Sequence, residues 1–258
     1  CHRLFSLLKR SMNKLFYKQK KILLGKGMVI AISGVDGSGK STMIEMSYKC
    51  LSQFLSVDKL TIGRPQGKII ELLRQILDRK NHGKHSESNQ KYASSTGFFK
   101  SLKSIFLAML RLRMAIKSQS YIKKGHIVLV DRWPTTELGC MDGPKIICDE
   151  SDNILIKLCF SLERWLYDHM PKADVCFFLQ VSAKTAIYRN SERIKIDKET
   201  TEEIISRYSA NHHIQPVSKK NILFDNNGLY EEKRQELLMN LWKEILHHNL
   251  YSNHDRVT

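Results

Sequence analysis

The chain has 258 residues, enough for one generous α/β domain with a full core, and carries 42 Lys and Arg against 26 Asp and Glu, a formal charge of +16. That excess points to anionic partners: nucleotides, nucleic acid or an anionic membrane face. No apolar run approaches the roughly 18 residues of a membrane span and no signal-peptide pattern is present, which argues against a membrane-spanning or secreted chain.

The six cysteines (1, 50, 140, 148, 159 and 176) form no C-x-x-C pair and no metal-ligand spacing. Their scatter fits a reduced, cytoplasmic setting. The first residue is Cys rather than Met, which points to a start further upstream. Residues 1–27 hold eight basic residues and no acidic one. Leu4, Leu8, Met12 and Leu15 recur there at helical spacing. Two readings stay open for this stretch: a basic amphipathic helix lying on an anionic membrane surface through residues 1–24, peripheral at the inner face, or a helix packed on the body of the protein. Gly25 and Gly27 mark the boundary before the first strand.

Val29 to Ile32 reads as a buried strand, and Gly34-x-x-x-x-Gly39-Lys40-Ser41 follows at once with a helical pattern from Ser41. Strand, glycine-rich turn and helix in that order is the setting a phosphate-binding loop requires. Gly34, Gly37 and Gly39 allow a tight bend, so the N–H groups of Asp36, Ser38, Ser41 and Thr42 can turn toward phosphates under the positive end of the helix dipole. Lys40 would reach the β and γ phosphates, and the Ser41 hydroxyl would hold Mg²⁺. The pattern predicts binding of a nucleoside triphosphate.

A second strand is expected over 57–62, leading into Gly63-Arg64-Pro65-Gln66-Gly67 and a helix at 69–77. Arg64 falls where a substrate phosphate could be met, or is a solvated surface arginine. Residues 79–97 are polar and aperiodic and read as a mobile loop or insertion. A helix is expected over 98–124, with Arg111, Arg113 and Lys117 near its middle. Each could face an acceptor, although a solvated face is the simpler reading for any one of them.

Ile127 to Val130 suits a central parallel strand. It ends in Asp131-Arg132-Trp133, at the carboxyl edge where such sheets do chemistry. There a carboxylate can join a Mg²⁺ shell or accept a proton, and a guanidinium can grip a phosphate with two parallel hydrogen bonds. Residues 134–152 form a loop. A helix over 154–170 places Leu155, Leu158, Leu162, Trp165 and Leu166 on one stripe, expected in the core. Residues 175–181 read as another parallel strand. The helix starting at Ser182 carries Arg189 and Arg193 at i, i+4. Together with the charged run 195–203 they suit a short lid over transferring phosphates or, equally, a salt-bridged surface helix. A last strand (221–224), a turn (225–228) and an amphipathic helix (230–248) complete about five parallel strands wrapped by helices, with a polar tail at 251–258.

Three features resemble the thymidylate kinase family of P-loop kinases: the Gly34–Ser41 loop with its internal Asp36, the Gly125-x-x-Val128-x-x-Asp131-Arg132-Trp133 stretch, and the Arg189/Arg193 pair. The resemblance covers residues 28–246. It implies a P-loop kinase fold over 28–250 and transfer of the γ-phosphate of ATP, with Mg²⁺, to a nucleoside monophosphate. It also implies that Lys40 and Ser41 serve ATP and magnesium and that Asp36 lies beside the acceptor sugar. Asp131 and Arg132 would serve magnesium and the acceptor phosphate, with Arg64, Arg111 and Trp133 on the acceptor side. Arg189 and Arg193 would neutralise transition-state charge. A homodimer packed through helices is implied as well.

The chain departs from the family at Ser33, where a glutamate is usual, at Trp133 in place of Tyr or Phe, and through the loop from Pro134 to Pro144. The basic extension is more similar to divergent bacterial members. Two other functions fit the same residues: an ATP-binding regulatory or membrane-docking module, and a kinase for a glycan- or lipid-linked acceptor. Nucleic acid is not expected as a partner, since aromatic residues are not interleaved with the basic run.

Overall fold

A computed structural model of the chain describes residues 21–23, 25–63, 97–191 and 214–254. The helix expected within 1–20, Arg64 with its helix at 69–77, the polar stretch 79–96, and Arg193 with the run 195–203 lie outside the described residues. The elements in order are β1 (Met28–Gly34), α1 (Lys40–Leu51), β2 (Val57–Thr61), α2 (Phe98–Ile122), β3 (Ile127–Asp131), α3 (Ile154–Asp168), β4 (Ala173–Gln180), α4 (Ala183–Ser191), β5 (Ser218–Asp225) and α5 (Tyr230–His254). Each expected strand forms within a few residues of its sequence-read limits. The last helix runs past residue 250 to His254.

The five strands make one sheet in the order β2-β3-β1-β4-β5, and every neighbouring pair is parallel. A parallel sheet covered on both faces needs strands that are apolar throughout, and β1 is buried at every position. Alternate β1 residues serve opposite faces. Met28, Ile30 and Ile32 pack with Met43 and Leu51 of α1 and with Leu237, Leu241 and Ile245 of α5. Val29 and Ala31 pack with Ala115 and Ile122 of α2. The chain leaves β1 toward β2 and β3 on one side and returns to β4 on the other. The carboxyl end of β1 is therefore the switch point, where an open α/β sheet leaves a crevice for ligand.

One expectation is corrected. Leu155, Leu158, Leu162 and Trp165 of α3 are exposed, Leu158 by 61% and Trp165 by 52%, and only Leu166 of that stripe is buried. The face of α3 that meets α2 instead carries Glu163, Leu166 and Tyr167. Lys21 and Leu23 run beside the body, with the Lys21 N–H donating to the Phe54 carbonyl and the Leu23 N–H to the Gly125 carbonyl. Among the described residues, no helix is long and apolar enough to cross a membrane.

Candidate active site

The loop between β1 and α1 wraps back over the start of α1. Gly34 and Gly39 take φ of 147° and 86°, and neither position has room for a side chain. A Cβ at Gly34 would lie 2.4 Å from the Leu179 carbonyl oxygen, and one at Gly39 would lie 2.7 Å from Asn226 Nδ2. Gly39 caps α1 without any side-chain hydrogen bond, so the first-turn N–H groups keep their capacity for an anion. Ser38 is fully buried and its Oγ has no partner, while Ser41 and Thr42 stand exposed on the first turn.

Lys40 opens α1 and is only 6% exposed. Its Nζ donates to the Val35 carbonyl at 2.6 Å and lies 3.8 Å from Asp36 Oδ1. Burial, and then the nearby Arg132 charge, bring this amine from 10.5 down to about 8, against the pull of Asp36, Asp131 and Asp142. An ammonium stripped of water and incompletely neutralised is a strong partner for phosphate oxygens.

Asp131 ends β3, beside β1 in the register Ile32 to Asp131, and Arg132 follows it directly. Burial raises the Asp131 carboxyl above its ordinary value, and its Oδ1 has no hydrogen-bond partner. Arg132 adopts φ 64°, in the left-handed region that non-glycine residues rarely enter. That turn is held from both sides, since the Arg132 N–H donates to the Ile32 carbonyl and the Trp133 N–H donates to Ser33 Oγ at 3.0 Å. Ser33, one of the departures from the family pattern, thus stitches β1 to the strand edge.

The Arg132 guanidinium donates through Nη2 to Asp36 Oδ1 at 2.6 Å and through Nη1 to Asp142 Oδ2 at 3.3 Å. Burial opposes its charge, but Asp142 and Asp36 outweigh that and hold Arg132 above its ordinary value.

Arg111 reaches the same place from α2. The sequence favoured a solvated face for it; instead it is 8% exposed. It donates to the Tyr167 hydroxyl, to the Gly63 carbonyl at 3.3 Å and to Asp142 Oδ1 at 3.1 Å. Arg113 and Lys117 are exposed. Trp133 is 2% exposed and packs with Ile62 and Ala115, so its ring belongs to the core and not to an open cleft wall.

A second set of contacts forms where β5 ends. Asn226 is buried, donates through Nδ2 to the Ser38 carbonyl at 2.7 Å, and accepts at its own carbonyl from Arg189 Nη2 at 3.1 Å. Gly37, Gly39, Thr42, Met43, Arg189, Asn226 and Tyr230 line a cleft of 340 Å³ beside the phosphate loop. Arg189 is therefore placed at the loop. Asn226 and Tyr230 were not singled out from sequence, although the Asp225-Asn226-Asn227-Gly228 turn at a strand's carboxyl end was their signal.

Glu163 was also missed. It is fully buried on α3 and accepts from the Ser104 hydroxyl, from the Lys145 N–H and from the Ile146 N–H at 2.8 Å. These bonds pin the 139–147 turn that delivers Asp142. Glu163→Ala leaves buried donors unmet and is expected to lower unfolding free energy by about 3 kcal/mol. An unfolding free energy within about 0.5 kcal/mol of wild type would contradict that role.

The arrangement suits a nucleoside triphosphate and a divalent cation. Glycine-rich backbone, an uncapped helix start and a desolvated lysine meet the needs of phosphates, and the unpartnered Asp131 oxygen and exposed Ser41 hydroxyl suit a hard cation. Among the described residues, no group of three or more His, Cys, Asp or Glu side chains could hold a metal by itself. A hydroxyl and a carboxylate that share the ion with phosphates are the usual magnesium arrangement.

No protein-family model matches the chain. An uncharacterized ATP-binding protein, YghR, of Escherichia coli is 24% identical over 174 residues, 64% of this chain and 69% of that one. A thymidylate kinase of Legionella pneumophila is 24% identical over 227 residues, 87% of this chain and 98% of that one. The solved structure of a thymidylate kinase from Candida albicans covers 87% of this chain and 94% of its own, at 16% identity and a TM-score of 0.49. With the phosphate loop, the Asp131-Arg132 strand edge and the parallel sheet in place, the chain resembles a divergent thymidylate kinase-like P-loop kinase.

Proposed function

We propose that this chain is a Mg²⁺- and ATP-dependent phosphotransferase that moves the γ-phosphate of ATP to a nucleoside monophosphate, with a dTMP-like acceptor. One observation carries the reading: Lys40, Asp36, Asp131, Arg132 and Arg111 converge at the switch point of the sheet, joined by the Arg132 contacts to Asp36 and Asp142. Similarity to a thymidylate kinase over 87% of the chain supports the acceptor class.

In this reading the loop from Gly34 to Thr42 cradles the triphosphate, and the 340 Å³ cleft takes the rest of the donor nucleotide. Lys40 holds the β and γ oxygens. Ser41 and Asp131 would hold Mg²⁺, which when bound would supply positive charge against the charge developing on the phosphates. Arg132 and Arg111 orient the acceptor anion from β3 and α2, and Asp36 fixes Arg132 while standing beside the acceptor's sugar. The high-lying Asp131 carboxyl is suited to share a proton of the attacking oxygen. Arg189, and by resemblance Arg193 and Arg64, add positive charge around the transferring group. Catalysis is then positioning and electrostatics, with no covalent intermediate on the protein.

Mg²⁺-dependent ADP release against a panel of nucleosides and nucleoside monophosphates tests this assignment. Selective turnover with dTMP or a close analogue is the expected result. Turnover with nucleosides alone, or with none of the panel, would overturn the acceptor class.

A further inference from the structure

Asp142 is the member of the cluster that neither the phosphate loop nor the strand edge requires. One carboxylate oxygen accepts from Arg111 at 3.1 Å and the other from Arg132 at 3.3 Å, so a single side chain spans guanidiniums supplied by two different elements. A phosphomonoester would offer those arginines the same thing, charged oxygens at paired hydrogen-bonding distance. Resting on the reading of Arg111 and Arg132 as the acceptor side, we propose that Asp142 occupies the place of the acceptor's anionic group and sets the site's selectivity by competing for both arginines.

Asp142 has not drifted onto the nearest arginine. Its φ is 65° and that of Arg132 is 64°, left-handed conformations that persist only where the surroundings fix them. The surroundings here do so. Glu163 holds the Lys145 and Ile146 N–H groups, the Tyr167 hydroxyl donates to the Gly143 carbonyl at 3.0 Å, and a Cβ at Gly143 would lie 2.3 Å from the Glu137 carbonyl oxygen. The carboxylate is itself shielded, its side chain 13% exposed.

Arg111, meanwhile, has capacity left over. Its Nε is buried without a partner although the guanidinium already serves Tyr167, Gly63 and Asp142. An anion reaching these guanidiniums must share or take these donors and must do so against the charge of Asp142. Acceptors that bring only hydroxyl groups meet no such competition. The site is thereby tuned against weakly held phosphate and simple anions, and in favour of acceptors whose other contacts compensate.

The test is Asp142→Asn, which keeps the side-chain shape, tolerates a left-handed backbone and removes the charge. Asp142→Gly, which relieves the backbone and removes the same charge, is measured alongside so that a folding defect in one variant does not remove the test. With the phosphate loop filled by a saturating non-hydrolysable ATP analogue and Mg²⁺, calorimetry follows inorganic phosphate, dTMP and thymidine.

Phosphate and dTMP are expected to bind about tenfold tighter or better to the variants, the scale of one charge-assisted hydrogen bond, while thymidine binding is unchanged. Phosphate affinity equal to or below wild type, no phosphate binding to any form, or an equal gain for thymidine would overturn it. If phosphate tightens but dTMP binds neither wild type nor variant, the role of Asp142 stands and the dTMP-like acceptor falls.

Discussion

Lys40→Met is expected to reduce phosphoryl transfer by about 10³-fold, the upper range for loss of one preorganised electrostatic contact, without destabilising the fold. The second half follows from the cost of burying the amine. Its ordinary value is 10.5 and in the fold it lies at about 8. Between those values the unfolded chain holds a proton that the folded chain has released, so stability rises with pH over that interval and the full cost is present below about 8. At about 1.4 kcal/mol per unit, removing the charge is expected to stabilise the protein at pH 7 by up to about 3 kcal/mol, less the bond lost to the Val35 carbonyl. Bound triphosphate favours the protonated amine. ATP affinity should therefore be strongest below pH 8 and weaken as pH rises through it. A steady-state assay with a thermal melt decides the first point, and ATP titrations between pH 7 and 9.5 decide the second. A pH-independent affinity, or a melt lowered by the substitution, would contradict the account of Lys40.

Arg132→Gln is expected to be the more damaging change overall. If Arg132 binds the acceptor as proposed, turnover should fall about 10²- to 10³-fold, the scale of losing a preorganised charged contact. Stability should fall by about 3 kcal/mol as well, because Asp36 and Asp142 lose the cation between them in a mostly buried setting. The two effects separate in the double variant Arg132→Gln/Asp142→Asn. Removing the stranded carboxylate charge should restore part of the stability and none of the turnover. If the double variant is as unstable as the sum of the single changes, the Arg132–Asp142 contact is not an energetic unit.

The strands and the phosphate loop were legible in the sequence because their signals are local. Ile127 to Val130 is apolar without interruption because both faces of a parallel sheet are covered, and the glycine spacing of 34–41 follows from the backbone the loop must adopt. The α3 stripe was misread for an equally physical reason. Helical periodicity reports that one face is apolar, not what that face meets. Here Leu155, Leu158, Leu162 and Trp165 face outward, while a charged residue, Glu163, sits in the interface because backbone N–H groups across from it need an acceptor.

Arg111 was similarly ambiguous. A lone arginine on a long helix is usually solvated, and only the convergence of Gly63, Asp142 and Tyr167 from three other segments buries it. Asp142, Glu163, Asn226 and Tyr230 owe their roles to contacts between distant parts of the chain, with sequence separations as large as 188 between Asn226 and Ser38. No local pattern encodes such contacts.

One site, built on Lys40 and the Asp131-Arg132 edge, is proposed to move phosphate from ATP to a nucleoside monophosphate. The most direct measurement supplies γ-labelled ATP, Mg²⁺ and a mixture of nucleoside monophosphates, then separates the products. Label in a single nucleoside diphosphate, absent with Lys40→Met, is the predicted result. Label that stays in ATP or appears only as free phosphate, with ATP binding intact, would contradict it.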